Sequence, residues 1–140
     1  MSVEENKALL RRYVEEVLNK GNVDAVDKFF AANCVDHTAP PGTPLGVDGI
    51  KQLLTATLAA FSNLHVTIED MIAEEDKVVS RMTGRGTHTT KFMGVAPTGI
   101  ELTIMQISID CIAEGKIVEH WGLADQMALM QQLGDVPSTG

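Results

Sequence analysis

The sequence predicts an α+β fold, with helices laid on one face of a curved antiparallel sheet. Three observations carry this reading. Apolar residues recur at helical spacing as far as about residue 61. After residue 62 the period changes to two. Helices therefore come first and strands second, an order that separates a helical layer from a sheet. A length of 140 residues suits one domain, read as residues 1–136, with 137–140 as a frayed tail. An apolar fraction of 44% and a mean hydropathy of +0.05 allow one core and argue against disorder.

Ser2 and Glu5 have capping-box spacing, and Leu9, Leu10, Tyr13, Val14, Val17 and Leu18 follow with helical period. Gly21 ends that helix. Asn22 or Asp24 starts a short second one, carrying Val23, Val26, Phe29 and Phe30. From Asp36 to Gly46, three prolines and two glycines make a loop. Asp48 then caps a third helix bearing Ile50, Leu53, Leu54, Leu58 and Phe61. A strand runs from His65 to about Ala73, and 74–77 is a turn. A longer strand covers 78–88, where Gly84 and Gly86 suggest bulges or sharp bending. Residues 92–99 form a Gly/Pro loop. Ile100 to Ile112 is the strongest strand, turned at Glu114-Gly115 and returned by Lys116 to Trp121. A short helix from about Gln126 to Leu133 stops at Gly134.

Charge narrows the function classes. Eleven Lys and Arg against nineteen Asp and Glu leave −8, with a pI near 4.8. Such a chain is repelled by a phosphate backbone or an anionic membrane, and no basic stripe overrides that. Nucleic-acid and membrane partners are therefore not expected. The acidic N-terminus lacks a signal peptide's positive charge, and no apolar run reaches the length of a span. The expected location is the cytoplasm. Cys34 and Cys111 read as two reduced, half-buried thiols.

With a two-residue turn at Glu114-Gly115, Ala113 pairs with Lys116, Ile109 with His120 and Cys111 with Val118. One face then carries Met105, Ile107, Ile109, Cys111, Val118 and His120, and looks inward because it is almost wholly apolar. The other carries Gln106, Ser108, Asp110, Glu119 and Trp121. That mixed face is a plausible self-association surface, giving a homodimer or homotetramer.

The sequence holds no phosphate loop, nucleophile elbow, dinucleotide fingerprint or metal-ligand spacing among His37, His65, His88 and His120. No metal or cofactor is expected, so the chemistry falls to side chains. Asp125 follows the last strand directly and reads two ways: a base desolvated at the end of an apolar face, or a helix N-cap. His120 reads as a proton-transfer group or a core histidine bonded to a carbonyl. His37 opens the Gly/Pro loop and is either a ligand contact or an exposed turn residue. Tyr13 either donates to an oxyanion or is a core aromatic. His88 shares parity with Met82. Both, with Met105, Phe61 and Trp121, are candidate substrate contacts, methionine being adaptable to a flat ligand.

The segments Gly86-Thr87-His88, Gly94-Val95-Ala96-Pro97-Thr98-Gly99 and Gly115-Lys116-Ile117-Val118-Glu119-His120-Trp121, with Asp125 four residues on, resemble the SnoaL-like polyketide cyclase family. The resemblance spans nearly the whole chain. It implies the nuclear transport factor 2-like fold, a cone of curved strands closed by helices around an apolar pocket. It also implies intramolecular aldol ring closure of a small aromatic polyketide, without cofactor or metal. The family's acid/base aspartate falls on Asp125. Many relatives carry a basic residue where Cys111 stands, so any polar contact made there is missing. Fold alone does not set the reaction. The alternatives are a non-catalytic small-molecule-binding or association module, and a cofactor-free hydroxylase or epoxide hydrolase.

Overall fold

The computed structural model describes residues 2–92 and 94–134, so the expected frayed tail at 137–140 lies outside the described residues. Helix α1 spans Val3–Tyr13, and the Ser2 hydroxyl accepts the Glu5 N–H at 3.1 Å, the cap its spacing predicts. The chain then widens into a π-helix, Val14–Asn19, before turning at Gly21, whose φ is +68°. A 3₁₀ turn, Val23–Lys28, follows. Strand β1 is Phe30–Asp36, and α2 is Val47–Ala60. Strands β2 (Phe61–Glu74), β3 (Lys77–His88), β4 (Glu101–Ala113) and β5 (Lys116–Ala124) lead to α3, Gln126–Leu133. Among the described residues no helix is long and apolar enough to cross a membrane.

The five strands form one sheet in the order β1-β5-β4-β3-β2. Only β1 against β5 is parallel. The sequence reading missed β1, placing Phe30 on a helix and Asp36 in a loop. Its residues carry little strand signal, and its backbone is held by β5: Ile117 N–H donates to Phe29 O at 2.7 Å and His37 N–H to His120 O at 2.9 Å. Asp48 does not cap α2. Gly46 does, at φ +70°, and a Cβ there would lie 2.4 Å from Ala32 O.

Bulges curve the sheet, but not where glycine suggested. The β3–β4 ladder runs unbroken from Lys77 to Thr87. Two shifts fall on β2, one between Ser62 and His65 opposite Gly86, where Asn63 has φ +56°, the other between Ile68 and Asp70. The third decides the site. Ala113 pairs with Lys116 as predicted, and Glu114 and Gly115 both take positive φ, the geometry of a tight primed hairpin. Ile112 pairs with Ile117, but Cys111 pairs with Glu119, so Val118 is the extra residue of a bulge.

That bulge overturns the predicted pairing: His120 faces inward as expected but pairs with Asp110, not Ile109. The predicted facing of β4 is also reversed. Its inward residues are Leu102, Ile104, Gln106, Ser108 and Asp110, while Met105, Ile107 and Ile109 remain 44%, 43% and 37% exposed on the outer face. The apolar side was taken as the core side, whereas the inner side lines a cavity with a polar end.

Two apolar clusters hold the helices on the inner face. The larger joins Leu9, Leu10, Val17, Val26, Phe29 and Phe30 to Val78, Ile112 and Ile117. The smaller joins Leu102 to Leu129 and Leu133, with Phe61 and Phe92 against them. Burying side chains of this size stabilises the fold by roughly 1.5–3 kcal/mol each before entropy is counted. Both clusters contribute walls to the space between helices and sheet.

Candidate active site

That space is a cavity of about 330 Å³. Its walls are mainly apolar: Leu10, Val14 and Leu18 from the first helical segment, Leu53 and Leu54 from α2, and Ile104 from β4. Gly84 and Gly86 also line it, so β3 takes up little room there. The π-helix has a second effect. It puts Asn19 against the open edge of β2, where its side chain accepts the Val66 N–H at 2.7 Å and donates to Val66 O at 3.0 Å. The wide turn is thereby anchored beside the cavity, a setting in which π-helical turns recur.

The polar groups gather at one end. Asp36 of β1, His120 of β5 and Asp110 of β4 stand in one row across three neighbouring strands, since Asp36 and Asp110 are each His120's register partner. All three line the cavity, as do Tyr13, Gln106 and Ser108. Asp110 Oδ1 lies 2.6 Å from His120 Nδ1, and its Oδ2 accepts the Ser108 hydroxyl at 3.4 Å. Asp110 is only 2% exposed, so this carboxylate is held by protein partners and not by bulk water.

Burial alone would lower the His120 pKa. The hydrogen bond that the ring donates to Asp110, the charge of Asp110 and that of Asp36 outweigh it, and the net shift is upward. Tyr13 is flanked edge-on by Phe29 and Phe30, with ring centroids 5.9 and 5.2 Å away. Burial, then Asp110, then Asp36 push its phenol well above the ordinary value. It therefore stays a hydrogen-bond donor, and it makes no side-chain hydrogen bond among the described residues. The tip of His120 occupies space that Gly122 leaves open. A Cβ at 122 would stand 2.9 Å from His120 Nε2 and 3.2 Å from Gln106 Nε2.

Of the residues singled out in the sequence, Tyr13, Phe61, Met82 and His120 line the cavity. The others are placed elsewhere. His37 lies on the outer side, stacked on Trp121 at 4.4 Å and 10°, with Nε2 4.0 Å from Glu119. Met105 is on the outer face of β4 and Trp121 pairs with Ile109 of that face. His88 is fully buried under Phe61, and its Nδ1 accepts the Thr98 N–H at 3.2 Å, pinning the 89–99 loop whose Phe92 does line the cavity. Asp125 is exposed, and its carboxylate accepts the Ala128 N–H at 3.0 Å as the N-cap of α3. Cys34 and Cys111 are buried and unpaired. Burial raises both thiols, which suppresses their reactivity.

Sequence reasoning missed Asp36, Gln106, Ser108 and Asp110. One signal was present. The alternation Gln106-x-Ser108-x-Asp110 places three polar groups on one strand face, as a wet or reactive cavity wall requires.

A mixed five-stranded curved sheet with helices packed over its inner face is the architecture of the nuclear transport factor 2-like fold. The sequence profile of the SnoaL-like polyketide cyclases matches residues 8–133, and the chain belongs to that family. Among solved structures it resembles IdmH of Streptomyces antibioticus, a candidate polyketide cyclase, at 31% identity and TM-score 0.80, over 92% of this chain and 98% of that one. AclR of Streptomyces galilaeus, a candidate hydroxylase, is 29% identical with TM-score 0.87, over 99% and 91%. TsrD of Streptomyces laurentii shares the fold at TM-score 0.90 and 23% identity, over 97% and 99%. No curated protein matches the chain.

Proposed function

We propose that this protein closes a ring in a small, largely apolar polyketide-like substrate by intramolecular aldol condensation, using only its own side chains. The observation that carries the reading is the Asp36–His120–Asp110 row at the polar end of an otherwise apolar cavity. A proton leaves a carbon flanked by carbonyl groups. The resulting enolate attacks an internal carbonyl, and the new alkoxide is protonated. The base needs a carboxylate or imidazole, and the developing oxyanion needs donors. His120 and the Tyr13 phenol supply donors, and apolar walls hold the chain close to attack geometry while excluding water.

Asp125 remains the alternative base. Its exposure and its bond to Ala128 favour the capping role, and the row favours His120 and its neighbours. The test is ring closure of an aryl substrate bearing a methylene between two carbonyls and an internal ketone, followed as an isomerisation without mass change. His120→Gln is expected to abolish closure and Asp110→Asn to weaken it, with Asp125→Asn retaining it. Closure that survives His120→Gln overturns the role given to the row, and a wild-type protein that binds the substrate without closing it is a binding module.

Self-association through the outer sheet face belongs to the same proposal. Ile107, Ile109, Met105, Ile72 and Leu123 are all at least 37% exposed there, more apolar surface than a monomer ordinarily leaves in one place. The face is the one opposite to Gln106, which lines the cavity.

A further inference from the structure

Three carboxylates are candidates for the base, and their hydrogen bonds separate them. Asp110 is engaged at both oxygens, by His120 and by Ser108, and is buried. Asp125 is exposed and caps α3. Asp36 is different. Its Oδ1 accepts both the backbone N–H and the hydroxyl of Thr38, at 3.1 and 3.2 Å, and Thr38 Oγ1 in turn accepts the Gly122 N–H at 2.9 Å. This clamp ties the Asp36 carboxylate to β5 and leaves Oδ2 without a partner among the described residues. Asp36 lines the cavity and is half-buried.

We propose that Asp36 is the catalytic base, and that His120, held through Nδ1 by Asp110, faces it as the hydrogen-bond donor to the developing enolate. The assignment rests on the ring-closing reading above. The C–H bond breaks and its proton goes to Asp36 Oδ2, while the bonding pair moves into the enolate. The Nε2–H of His120 and the Tyr13 hydroxyl hold the enolate oxygen. After the carbon–carbon bond forms, the proton on Asp36 passes to the new alkoxide, so neither proton nor electron is lost. The titratable groups facing this pair are Asp110 on β4, Tyr13 on α1 and Cys34 on β1 itself.

The probe is 2-acetyl-1-tetralone, an aromatic bicyclic diketone whose C2 is flanked by two carbonyl groups, as in the proposed substrate. Deuterium wash-in at its C2 from heavy water reads proton abstraction alone. The wild-type rate should fall at alkaline pH as His120 loses its proton. Asp36→Asn keeps a partner for Thr38 and should lower wash-in by about a hundredfold or more, with probe binding retained. Asp110→Asn should draw the alkaline limb to lower pH. A rate that instead rises through the His120 titration and stays high makes His120 the base and overturns the assignment. So does wash-in that survives Asp36→Asn. No wash-in by wild-type protein with the probe bound overturns the ring-closing reading together with the role of Asp36. Ring-nitrogen NMR of His120 in the free protein gives an independent readout. An imidazolium at pH 7 agrees with the proposal, and a neutral ring refutes it.

Discussion

Asp110 and His120 meet at 2.6 Å because one residue, Val118, is looped out of the ladder between β4 and β5. Without that bulge the strand would present Ile109 to His120, and the imidazole would stand on an apolar face. The pair should also leave a pH signature in stability. The folded-state pKa of His120 is raised by Asp110 and Asp36 against the lowering effect of burial. Its contribution is then fully present below the unfolded value of about 6.5 and fades as pH climbs through the higher folded value. Asp110→Asn should lose about 1–3 kcal/mol near pH 6, and less above the His120 titration. Urea unfolding of both proteins at pH 6 and pH 9 measures this. A gap that is equal at both pH values contradicts the ion pair.

Gly122→Ala tests the space beside His120. The added methyl would fall 2.9 Å from Nε2, inside normal contact distance, with Gln106 Nε2 3.2 Å away. The imidazole can yield only by straining or breaking its bond to Asp110. Ring closure should fall by at least tenfold, and the melting temperature should drop by a few degrees as the bond to Asp110 is strained, the fold itself staying intact because the clash is with side-chain ends and not backbone. An unchanged rate would falsify the claim that His120 Nε2 reaches the reacting atoms from this position.

Asp125 separates a cap from a catalyst. Its carboxylate bonds the Ala128 N–H, the standard reach of an N-cap onto its third helical residue. Asp125→Asn should change stability by a few tenths of a kcal/mol at most, and Asp125→Ala should cost about 1 kcal/mol. Neither should alter the rate per folded molecule. A large rate loss in Asp125→Asn with intact folding restores Asp125 as the acid/base group.

The outer sheet face predicts association. Ile107 and Leu123 are cross-strand partners there, 43% and 74% exposed. Ile107→Lys or Leu123→Lys places a hydrated charge in the middle of that surface. Sedimentation should show the wild type as a dimer or larger, and each lysine variant shifted toward the monomer with its circular dichroism unchanged. A monomeric wild type removes the assignment.

What was legible in the sequence is local. Period and capping gave α1 from Ser2 and Glu5, turn chemistry gave the Glu114-Gly115 hairpin, and β-branched residues gave β4. His120 and Tyr13 were visible as unusual polar groups on apolar stripes. Their partners were not. Asp36 lies on a strand with almost no strand signal, recruited by backbone bonds from β5.

Asp110 was assigned to the wrong face because the apolar alternation of Met105, Ile107 and Ile109 was read as the core side, and its pairing with His120 was missed because a bulge leaves no mark in Ile117-Val118-Glu119 that periodicity can read. Side-chain facing is a parity, and parity depends on every residue between turn and site. The sequence by itself therefore determined the family and the order of the elements apart from β1. Only the tertiary structure decided which carboxylates meet the histidine, since a single unpaired residue exchanges the two faces of a strand at no cost that local propensity registers.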